Sequence, residues 1–137
     1  RKYLDRIINR TSPLSIEKGR AWLVMKNLNL EKMQVCASVI EGKHDFTTFR
    51  SVNCQSKSAI KTLTSCKITR QDDNIYFGFV APSFLQHQIR SIVGTIKMVG
   101  EELWEVERFQ QSLEAKDRSK CGALAPADGL YFMEVKY

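Results

Sequence analysis

Apolar residues recur along this chain with two different periods, and the changes of period mark out its elements. Residues 1–8 alternate weakly and end in Ile7-Ile8, which predicts a strand. Residues 9–20 hold Ser12-Pro13 and Gly19 and read as a loop or connection. Trp22-Leu23-Val24 fits either a short strand or a docking segment. Leu30, Met33, Ala37 and Ile40 then fall on one helical face, with Asn29 placed as the N-cap and Gly42 closing the end. His44 to Phe49 reads as a turn. Residues 60–69 are rich in β-branched side chains, residues 74–81 form a stronger strand, and Asp72-Asp73-Asn74 marks a hairpin between them. Pro82 ends that strand, and a helix is predicted from Ser83 or Phe84. Val106, Phe109 and Leu113 mark a further helix, residues 121–129 a loop, and residues 130–137 a closing strand. The fold class this predicts is α+β: a mixed, largely antiparallel sheet with helices packed on one face.

The helix after Pro82 carries the most informative polar residue. Leu85, Ile89, Ile92, Ile96 and Val99 form its apolar stripe. Arg90 projects roughly 130° from the centre of that stripe if each residue turns about 100°. A guanidinium held on a packed helix can fix a carboxylate or a phosphate; the alternative is a solvated surface arginine. Gly94 lies inside the same pattern, where glycine costs about 1 kcal/mol against alanine. It either admits another backbone or a ligand, or is simply tolerated.

Composition narrows the picture. A chain of 137 residues with 43% hydrophobic content fits one domain with its own core. No run approaches the roughly 20 apolar residues of a membrane span, so no membrane partner is expected. The chain opens on Arg1 inside a predicted strand, with neither Met nor a signal-peptide pattern, and is expected to be a piece of a longer protein. The net charge of +6 suits a polyanion, nucleic acid before membrane, although a moderately basic protein without such a partner fits the same number. Basic residues crowd residues 1–20 and punctuate residues 50–70, which favours a basic face. Cys36, Cys54, Cys66 and Cys121 form no CxxC pair, and His44 and His87 lie far apart. A reduced, intracellular setting without a metal site is therefore expected.

Other candidates are individually ambiguous. Tyr3 could stack on a base, worth about 1–3 kcal/mol, or pack within a sheet. Asp45 follows a helix-ending glycine and is placed to cap the next turn. Gln86 and Gln88 could touch RNA or merely keep a helix face wet, and His87 is a half-exposed helix residue before it is a ligand or base. The run from Arg50 to Ser58 is polar and basic, a phosphate-binding loop or a plain connection.

Four ordered blocks resolve part of this ambiguity. Arg1-Lys2-Tyr3, then Gly42 to Arg50 with Cys54-Gln55-Ser56-Lys57-Ser58, then Phe84 to Gly94, then Lys116-Asp117-Arg118 with Ala125 to Tyr131, follow one another along the chain. In these blocks the chain resembles the C-terminal half of the TruA-type tRNA pseudouridine synthases, over essentially its whole length. The resemblance implies a pseudouridine synthase-like catalytic domain, residues 1–137 being its C-terminal fragment. It implies isomerisation of uridine to pseudouridine in tRNA, with no metal or organic cofactor. Arg90 matches the arginine that pairs with the family's catalytic aspartate, and Tyr3 matches the tyrosine that stacks on the extruded base. Arg1, Lys2, Arg50, Gln55, Lys57, Gln86 and His87 would belong to the tRNA-binding surface. A homodimer is a further implication, since family members are often dimers.

Two features depart from the family pattern. The aspartate lies in a Gly-Arg-Thr-Asp motif on an upstream segment, and this sequence has no such motif, so the chain alone is expected to be inactive. The family also commonly repeats tyrosine two residues after the stacking one, where this sequence has Asp5. Asp5 is not assigned as the nucleophile. Its presence supports a rival reading, a TruA-like module that grips RNA without isomerising it; a protein-interaction or assembly role is a third reading, independent of Asp5.

Overall fold

In a computed structural model of the chain, the structure describes residues 1–10, 21–51, 58–85 and 87–134. Residues 11–20, Gln55 and Lys57 of the basic run, Gln86, and residues 135–137 of the closing strand lie outside the described residues.

Seven strands and three α-helices are described: β1 Lys2–Asn9, β2 Trp22–Val24, α1 Leu30–Ile40, β3 Gly42–Asp45, β4 Ile60–Leu63, β5 Ser65–Gln71, β6 Asn74–Val80, α2 Gln88–Gly100, α3 Val106–Ala115 and β7 Leu130–Glu134. The main sheet runs β2-β1-β6-β5, and β7 pairs with β1. All its pairings are antiparallel except β1 with β2. This is the predicted α+β class.

Strand alternation explains the layering. Asp5 and Ile7 of β1 share the inward face with Ile75, Phe77 and Phe79 of β6 and with Cys66 and Ile68 of β5, all buried. The next residues along, Leu4, Arg6, Tyr76 and Gly78, are only half-buried, as expected for a sheet with one covered face. Helix α1 packs on β5 and α2, burying Met33, Cys36, Ala37 and Ile40. Each large apolar side chain sealed in this way contributes about 1.5–3 kcal/mol. Asn29 caps α1 as expected, its Oδ1 accepting from the Lys32 amide at 3.1 Å. Asp45 also caps as expected, its Oδ1 accepting from the amide and hydroxyl of Thr47 at 2.9 and 2.6 Å. These hydrogen bonds, aided by the charges of Lys116 and Arg50, hold the Asp45 carboxyl below the usual carboxylate range.

Three expectations need correction. Residues 60–69 are not one strand: β4 pairs with β3, and β5 pairs with β6. Thr64, whose amide donates to Val80 O at 2.8 Å, carries the chain from the small sheet to the large one. The segment from His44 is not only a turn, because Gly42–Asp45 is strand β3, followed by a 3-10 turn over Thr47–Phe49. Most consequential, the helix does not begin at Ser83 or Phe84 but at Gln88. The Leu85 amide is satisfied by the side-chain Oε1 of Gln88 at 2.8 Å, and His87 takes a left-handed φ of 64°, which breaks helical continuity. Leu85 is still buried, so it fits the apolar stripe without being helical.

Candidate active site

The late start of α2 places Arg90 in its first turn. Unsatisfied amides and the helix dipole favour negative charge there. The guanidinium is not a free surface group: its Nε donates to Ala125 O at 2.8 Å, and the Ala125 amide donates back to Arg90 O at 2.9 Å. Ala125 is fully buried, so the arginine is clamped to a packed segment. Among the described residues no hydrogen bond takes the two Nη groups, which remain available to a planar anion. One turn on, Gly94 makes the clamp possible. A Cβ there would lie 2.4 Å from Ala123 O and 2.9 Å from the Ala125 amide nitrogen. The glycine admits another backbone.

Arg90 opens onto a cavity of about 350 Å³, whose other lining residues include Arg1, Tyr3, Phe84, His87 and Leu130. Tyr3 stands edge-on to Phe84, with ring centroids 5.2 Å apart and planes at 88°. The geometry leaves an aromatic wall beside a guanidinium. No acid lines this cavity among the described residues. Such a site can hold a carboxylate or phosphate on Arg90 while a flat ring lies against Tyr3.

The remaining predicted positions divide. Arg1 and His87 line the cavity with Tyr3 and Arg90. Lys2 is exposed and, by strand alternation, points to the opposite sheet face from Tyr3. Arg50 does not line the cavity; its charge is felt at Asp45. Gln88 is not a surface contact: it is buried and committed to Leu85. The Asp117 amide donates to Thr48 Oγ1 at 3.1 Å and Asp117 Oδ1 accepts from the Ser119 amide at 2.9 Å, which ties the segment around Asp117 to the one around Thr48. The Ser119 hydrogen bonds hold Asp117 below the usual carboxylate range.

Sequence reasoning underrated one residue. Asp5 is fully buried, and neither carboxyl oxygen meets a hydrogen-bond partner of good geometry. Burial pushes its pKa up to about 7, against the opposing pull of the Arg6 amide and the Arg90 charge. Strand alternation was the available signal: Asp5 shares a face with Tyr3 and Ile7.

Comparison with known proteins identifies the family. The sequence pattern of the tRNA pseudouridine synthase family matches residues 36–137. Curated proteins named tRNA pseudouridine synthase A are similar over all 137 residues: 48% identical in Parvibaculum lavamentivorans, 51% in Sinorhizobium medicae and 50% in Zymomonas mobilis. The chain spans 56% of the length of each of these relatives. Arg90, clamped over a cavity that also holds Tyr3, thus sits in a chain that belongs to the tRNA pseudouridine synthase family.

Proposed function

We propose that this chain is the C-terminal part of an enzyme that isomerises uridine to pseudouridine in tRNA. The observation that carries this reading is the clamped Arg90, its Nη groups open beside Tyr3 in a cavity with no acid of its own among the described residues. An upstream segment would supply the aspartate, and the Arg90 charge would keep that carboxylate ionised and aimed. The target nucleotide leaves its stack at a cost of a few kcal/mol and lies against Tyr3. The aspartate acts on the ribose anomeric carbon, directly or after base departure. The bond from that carbon to N1 breaks, the uracil turns, and C5 bonds in its place. The C5 proton is lost with help from Tyr3 and N1 gains one, so the product is an isomer of the substrate. Arg1 and His87 at the cavity, and Lys2 and Arg50 further out, belong to the proposed tRNA surface, together with Gln55, Lys57 and Gln86.

The full-length protein, incubated with an unmodified tRNA transcript, is expected to produce pseudouridine detectable by mass spectrometry of the digested RNA. The 137-residue chain alone is expected to produce none. Asp5, a buried acid where the family commonly has tyrosine, favours a second reading: a module that binds tRNA without isomerising it. Salt-sensitive tRNA binding by the full-length protein with no pseudouridine formed would select that reading.

A further inference from the structure

Asp5 is unexplained by the reaction as proposed. Its side chain is wholly buried one strand repeat below Tyr3, and neither oxygen has a hydrogen-bond partner of good geometry, the Arg6 amide giving only a partial pull. The site is shaped around it: a Cβ on Gly129 would lie 2.6 Å from Asp5 Oδ1 and 2.6 Å from Arg6 O. Across the sheet it is flanked by Phe77 on β6 and Leu130 on β7, neither of which can neutralise it. Gly129 comes up against it with no side chain of its own, and β1 itself offers Tyr3 and Ile7 on that face. Among the described residues, the charge that acts on it from across the fold is that of Arg90 on α2. A carboxyl so placed is stable only when neutral or when it draws on a cation.

We propose that Asp5 is a positioning residue for this site, a buried second carboxyl that shares the field of Arg90 with the carboxylate Arg90 is open to receive. The inference rests on the functional reading above. While Asp5 is neutral, the whole guanidinium charge serves the incoming aspartate. Once Asp5 ionises, Arg90 answers to two anions, and the second repels the first. The two carboxyls then titrate as a coupled pair. Burial brings the Asp5 pKa to about 7, so the change falls within the working range of an enzyme.

The test is the pH dependence of single-turnover pseudouridine formation by full-length wild type and Asp5→Asn. A carboxyl titrating near pH 7 is about nine-tenths neutral at pH 6 and about one-tenth neutral at pH 8. The incoming carboxylate raises Asp5 further, so the wild-type rate, divided by the Asp5→Asn rate, is expected to fall about tenfold from one pH unit below to one above a midpoint at or above pH 7. Superimposable profiles would overturn the proposal. If wild type forms no pseudouridine at any pH, the functional reading fails, and carbon-13 titration of the Asp5 carboxyl decides the electrostatic coupling separately. A carboxyl titrating near neutrality, and moving higher in Arg90→Gln, supports the coupling. Titration in the ordinary aspartate range, or indifference to Arg90→Gln, rejects it.

Discussion

Replacing Arg90 by alanine in the full-length protein is expected to slow pseudouridine formation by about 10²–10³-fold, the usual cost of losing one preorganised partner of a reacting charge. Its effect on tRNA affinity should be small by comparison. The reason lies in how the side chain is held. Nε is committed to Ala125 O, and the Arg90 backbone is in turn bonded by the Ala125 amide, so only the Nη edge is presented to the cavity. That edge matches a carboxylate in two-point geometry, and a nucleophile held there is both ionised and aimed. Arg90→Lys keeps the charge but has neither the planar fork nor the bond to Ala125, so it should recover only part of the rate. Single-turnover kinetics and equilibrium tRNA binding separate the two effects, with near-ultraviolet dichroism as the check on folding. An unchanged rate in Arg90→Ala would remove the role assigned to it.

Asp5→Asn is expected to change stability with a distinctive pH signature. The folded-state pKa of Asp5 is raised from 3.8 to about 7. Between those values the folded chain binds more protons than the unfolded one, so its stability falls as pH rises. Below pH 4 the acid is neutral in both states and adds no penalty. Above pH 7 it is charged in both, and the folded state bears the full cost of the buried charge. At about 1.4 kcal/mol per pH unit, the stability of Asp5→Asn relative to wild type should rise by about 4 kcal/mol from pH 4 to pH 8. The fixed cost of burying the asparagine amide is the same at both ends and cancels. Urea unfolding of both proteins at the two pH values measures the difference, and a constant gap would mean that Asp5 is not desolvated as described.

The parts of the fold that were legible in the sequence are those where local pattern and tertiary packing agree. Strand β6 alternates cleanly and buries Ile75, Phe77 and Phe79. The turn at Asp72-Asp73 joins it to β5, with Asp72 at a left-handed φ of 54°. Asn29 and Asp45 cap where local hydrogen bonding dictates. The errors fall where a side-chain hydrogen bond, a left-handed residue or a distant strand decides. Leu85 has helical spacing, yet its amide goes to the Gln88 side chain and His87 turns left-handed. Nothing in the run from Ile60 to Thr69 shows that Thr64 hands it from one sheet to another, because that depends on Val80.

The site was legible in a similar proportion. Tyr3 and Arg90 do line one cavity with Arg1 and His87. The periodicity that set Arg90 apart from the stripe could not show that Ala125 clamps it, a contact between residues 35 apart in sequence. Gly94 was ambiguous for the same reason, since the backbone it admits at Ala123 belongs to another segment. Asp5 was visible as a departure from the family pattern, but its burial follows from the packing of Gly129 and α2 against β1.

The most direct test of the central claim is a crystal structure of the full-length protein, read at the Nη groups of Arg90. The expected result is an aspartate carboxylate from the upstream segment within about 4 Å of those nitrogens, the limit for an ion pair, facing the Tyr3 cavity. An Arg90 edge open to solvent, or paired with a group that cannot act on a ribose, would contradict it.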